Sequence, residues 1–68
     1  MRRELIEFVS RFKQDILDLE IEVLFIVEGD FERMQEYLKE FRNILEKHQQ
    51  KALELEKMIK EKQRMLKL

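Results

Sequence analysis

Apolar residues recur along this chain at alternating steps of four and three, and that rhythm constrains the fold more than any other feature. Leu5, Val9, Phe12, Ile16, Leu19, Val23 and Ile26 carry it through the first part. After a break at Gly29-Asp30 it resumes with Phe31, Met34, Leu38, Phe41, Leu45, His48, Ala52, Leu55 and Ile59, reaching Leu66. Such spacing keeps one face of an α-helix turned toward a partner helix. The expected fold is therefore all-α, one domain over 1–68, with two long helices folded back into an antiparallel, coiled-coil-like hairpin.

Local signals place the corner. Helix 1 is expected from about residue 3 to 27, a turn at 28–30, and helix 2 from about 31 to 66. Gly29 suits a left-handed C-terminal cap, and Asp30 suits the N-cap of the next helix. Glu32 in the following turn complements the positive end of that helix. Beyond Phe31 there is no glycine or proline to interrupt it. A competing local pattern exists at 19–27, where Leu19, Ile21 and Val23 alternate with Glu20 and Glu22 as in a strand. The heptad passes through that segment in phase, and no second strand-like segment is present to pair with it, so helix is preferred.

Sixty-eight residues lie near the lower limit for a self-sufficient core. The absence of cysteine removes disulfides and thiolate metal sites as staples. Charged residues make up 43% of the chain and apolar ones 44%. The regular spacing of the apolar set argues against disorder, which the charge alone would permit. Arg2-Arg3-Glu4 opens an amphipathic segment that does not read as a signal peptide, and the apolar run Val23–Val27 is too short to span a bilayer. A cytoplasmic location is the expectation.

Unequal helix lengths point to association. At about 1.5 Å per residue the first helix would be roughly 37 Å long and the second roughly 54 Å. Met58, Ile59, Met65, Leu66 and Leu68 would then overhang with nothing in their own hairpin to cover them. Leu17, Ile21, Leu24 and Phe25 lie off the main seam and make the end of helix 1 apolar nearly all round. Tyr37, Ile44, Met58 and Met65 widen the stripe on helix 2 at one flanking position. The expected partner-binding residues are thus Leu17, Ile21, Leu24, Phe25, Met58, Ile59, Met65 and Leu66. A homodimeric four-helix bundle would bury them, with residues 56–68 either continuing straight or folding back.

Charge supports that arrangement. Between Asp15 and Glu32 there are seven acidic residues and no Lys or Arg, whereas Lys57 to the end holds five basic residues and one acid. An acidic corner and a basic tail would pair in two hairpins laid antiparallel. Lys57, Lys60, Arg64 and Lys67 form one stripe that would suit phosphates or an anionic membrane. Net charge of −1 and no aromatic among those lysines argue against nucleic acid.

Catalytic equipment is sparse. One serine (Ser10), one histidine (His48), one tyrosine (Tyr37), no threonine and no cysteine leave little for a nucleophile and base. No Glu-x-x-His pair is present for a di-metal bundle site, and phosphate-loop, dinucleotide and zinc-finger patterns are missing. His48 occupies a seam position, where it forms a polar layer that sets register or a half-exposed ring bonded to water. The sequence therefore predicts a non-enzymatic interaction protein without cofactor or metal, pairing with itself or with a partner helix.

Residues 28–48 resemble the small helical export chaperones of the bacterial flagellar secretion system. The likeness rests on Glu28-Gly29-Asp30-Phe31 followed by Met34, Leu38, Arg42 and Leu45, with Phe31 where tryptophan is common in that family. It implies a protein that shields an aggregation-prone helix of an export substrate, with the apolar overhang as docking site and Met58 and Met65 as its adaptable part.

Overall fold

Two helices account for nearly all of the chain, and no strand is present among the described residues. The computed structural model describes residues 1–66. Helix α1 spans Arg2–Val23 and helix α2 spans Phe31–Leu66. The two pack on each other, giving a molecule 60 Å long and 17 Å by 8 Å across. None of the described helices is long and apolar enough to cross a membrane.

Helix α1 stops at Val23, four residues earlier than the sequence pattern predicts. The amides of Leu24, Phe25 and Ile26 bond three residues back, to Ile21, Glu22 and Val23, at 3.1–3.2 Å. This is a tightened last turn that ends the α-helical ladder. Two physical terms favour the early stop. Val23, Phe25, Ile26 and Val27 are β-branched or aromatic and hold helix weakly. Glu20 and Glu22 also sit at the negative end of the helix dipole, with no basic residue in that turn. Residues 24–27 are accordingly neither helix nor strand.

At the corner, Gly29 has φ of +90°, a conformation that L side chains adopt only under strain. Asp30 caps α2: its Oδ1 accepts the Arg33 amide at 3.1 Å, and its carbonyl accepts the Met34 amide at 3.0 Å.

The contact between the helices is rotated relative to the expected seam. Leu19 and Leu55 are the buried apolar residues at 3% exposure, with His48 buried between their levels at 7%. Around them Phe8, Phe12, Ile16, Met34, Tyr37, Phe41, Ile44, Ala52 and Ile59 are half-buried. Leu5, Val9 and Val23, expected in the seam of helix 1, are exposed. So are Phe31, Leu38 and Leu45 of helix 2, the first two at 72% and 59%. Tyr37 and Ile44, expected on the flank, stand in the contact instead. The cause lies in the polar groups on the other edge. Asp15, Glu22, Arg33, Tyr37 and His48 all find partners across the seam, and a single partner helix covers only part of a stripe this wide.

Candidate functional site

On one edge of the contact, polar side chains cross from helix to helix. Glu22 pairs with Arg33 near the corner. The Tyr37 hydroxyl donates to the Leu19 carbonyl at 2.8 Å. Further along, Asp15 Oδ2 meets Lys47 Nζ at 3.1 Å and His48 Nε2 at 2.6 Å. Phe8 and Phe12 close on the His48 ring edge-on, with centroids 5.9 and 5.1 Å away. No buried side-chain polar atom among the described residues lacks a hydrogen-bond partner.

These pairings perturb the ionisable groups. The hydrogen bond from His48, then that from Lys47, holds the Asp15 carboxyl below its ordinary value. The Glu22 hydrogen bond raises the Arg33 guanidinium. Glu40, beside the same pair, is pushed up by desolvation and by the Glu22 carboxylate. At the chain start, the terminal ammonium lies 2.9 Å from Glu4 and lowers it, with a smaller pull from Lys62.

An open groove of ≈ 440 Å³ runs along this edge, lined by Glu4, Glu7, Phe8, Arg11, Asp15, Lys47, His48 and Lys51. Its chemistry is that of matched charge. The His48 Nε2 is bonded to Asp15, and Ser10 is exposed and does not line the groove. No group of three metal-ligating side chains occurs among the described residues. His48 is thus a buried polar layer with a carboxylate partner, not a half-exposed ring bonded to water.

Exposed apolar residues stand along the opposite edge, between polar ones such as Gln35, Arg42 and Gln49. Each exposed residue there follows a seam residue by one position: Val9 after Phe8, Val23 after Glu22, Leu38 after Tyr37, Leu45 after Ile44. Leu38 also borders a shallow groove of ≈ 570 Å³ with Gln35, Lys39, Phe41 and Arg42.

The residues expected to bind a partner are not gathered into one surface. Leu17, Ile21, Leu24 and Phe25 are exposed around the end of α1. Met58, Met65 and Leu66 are exposed far along α2, while Ile59 is half-buried. The overhang is accordingly shorter than expected, since Ile59 is half-buried. Lys57, Lys60 and Arg64 are exposed, and Lys60 lies 3.8 Å from Glu56. Lys67 lies outside the described residues. Sequence reasoning missed Asp15 and Phe8, although Phe8, Phe12, Asp15, Leu19 and Glu22 also follow the four-three rhythm.

Comparison with known protein families, with curated proteins and with solved structures finds no match to this chain.

Proposed function

We propose that the chain is a non-enzymatic interaction module: an antiparallel helical hairpin that docks its uncovered heptad edge onto helices of another chain. The order of the cross-helix contacts supports the antiparallel sense. Glu22 meets Arg33, Leu19 meets Tyr37, and Asp15 meets Lys47 and His48, so partners climb α2 as they descend α1.

Handedness then places both exposed rows together. One residue is about 100° of right-handed turn, and the two helices run in opposite senses. Residues one position after the seam therefore turn toward the same side on both helices. Leu5, Val9 and Val23 join Phe31, Leu38 and Leu45 in one apolar face. That face is the observation that carries the function.

The magnitude of uncovered surface agrees. A compact chain of 8.5 kDa would expose about 4,650 Å², whereas this one exposes 6342 Å². The excess of about 1,700 Å² exceeds the roughly 800 Å² that each partner buries in a standard interface. Light scattering after size exclusion tests the proposal with Leu38→Glu plus Leu45→Glu. The unaltered chain should run in a larger assembly and the variant as a single folded chain. Identical sizes together with equal binding of an apolar dye would contradict it.

A second reading draws on the flagellar-type resemblance. Phe31, Leu38 and Leu45, three of the residues that carry the likeness, lie on the uncovered face, and Arg42 borders the groove beside Leu38. A chaperone of that kind would use this face to shield a client helix, and its signature is a stable one-to-one complex with an export substrate.

A further inference from the structure

The uncovered face has a definite electrical surrounding, and it selects an occupant. At the corner end, residues 15–32 contain seven acids and no base. Asp15 and Glu22 are paired across the seam, which leaves Asp18, Glu20, Glu28, Asp30 and Glu32 exposed. At the far end Arg2, Arg3 and Arg64 are exposed, and Lys57 and Lys60 stand among them. The molecule is an elongated dipole with an apolar strip down one side.

We propose that the occupant is a second copy of this chain, laid face to face and end for end. This rests on the interaction-module reading and names its partner. A two-fold axis across the long direction brings α2 against α2 of the other copy, running oppositely. Each acidic corner then overlies the other copy's basic end, and each exposed apolar row lies against the other copy's docking face. A parallel pair would set the two acidic corners together and the two basic ends together, and like-charge juxtaposition disfavours it. The excess surface, about 1,700 Å² per chain, is of the order that an obligate homodimer buries.

Thiol cross-linking reads the arrangement cleanly, because the chain has no cysteine of its own. Gln35 and Lys60 each follow a seam residue by one position and are exposed, as is Glu20. In mixtures of singly substituted chains, Gln35→Cys should cross-link to Lys60→Cys and not to Glu20→Cys. Charge reversal by Glu20→Lys with Glu28→Lys should weaken self-association about tenfold, and mixing with the Lys57→Glu, Lys60→Glu chain should restore it.

Cross-linking of Gln35→Cys to Glu20→Cys alone would mean a parallel pair. That would overturn this inference and leave the docking face standing. A single chain at all concentrations would overturn self-pairing. In that case apolar dye binding decides the underlying reading: loss of dye in the Leu38→Glu, Leu45→Glu variant keeps the docking face, and unchanged dye binding removes it.

Discussion

The two edges of one helix–helix contact are built from opposite materials. On one edge every residue that reaches across is polar and answered: Glu22 by Arg33, Tyr37 by the Leu19 carbonyl, Asp15 by Lys47 and His48. On the other edge exposed apolar residues, Phe31 at 72% and Leu38 at 59% among them, alternate with polar ones such as Gln35, Arg42 and Gln49. Directional bonds fix how the helices are rotated, because an unmatched buried donor or acceptor is costly. Apolar surface has no such direction and can be covered by any well-shaped neighbour. The polar edge therefore sets the contact within the chain, and the apolar residues of the other edge are left exposed.

Breaking the apolar edge should give the largest effect. Leu45→Asp removes a leucine that an isolated chain already exposes, so helicity of the single chain should stay as it is. In the proposed pair it places a carboxylate in the interface twice over, and association should weaken by about 100-fold or more, read by sedimentation.

Breaking the polar edge should instead lower the stability of the fold itself. Asp15→Ala leaves the His48 ring nitrogen buried without its acceptor and should cost about 1–3 kcal/mol, seen as a lower midpoint in chemical denaturation. The corner comes next. A Cβ at Gly29 would meet no neighbouring atom within 4 Å, so Gly29→Ala isolates the backbone term of a φ of +90°. It should destabilise by about 1–2 kcal/mol, and equal stability would show that the corner is not held left-handed in solution.

The smallest effect is a pH dependence, and its sign follows from the direction of the shift. Because the folded Asp15 carboxyl lies below its ordinary value of 3.8, the stability it contributes is present above that pH. It is lost as pH falls through the depressed folded value. Thermal midpoints of the unaltered chain and of Asp15→Asn should converge below pH 4 and separate above it.

The sequence made some of this readable and hid the rest for identifiable reasons. Two helices, a Gly29-Asp30 corner and a start at Phe31 follow from local chemistry, since cap and φ preferences act within a few residues. The end of α1 did not, because the heptad continues past Val23 while the acidic last turn and the β-branched run work against helix. On α1 one of the two seam positions was misplaced by one residue, because two heptad phases that share Phe12 and Leu19 are superimposed. One is wholly apolar, and the other threads Phe8, Phe12, Asp15, Leu19 and Glu22. A purely hydrophobic criterion selects the first phase and rejects the second for its two acids. Only the positions of Arg33, Lys47 and His48 across the contact make those acids seam residues. Of the residues that sequence reasoning assigned to the chain's own seam, Phe12, Leu19, Met34, Phe41, His48 and Leu55 stand in it, and Leu5, Val9, Val23, Phe31, Leu38 and Leu45 are left exposed.

Sedimentation equilibrium of the unaltered chain at micromolar concentration tests the central claim most directly. If the uncovered edge is closed by a second copy, the mass should fit two chains, and it should revert to one chain in the Leu38→Glu, Leu45→Glu variant. A mass of one chain across the whole concentration range would contradict it.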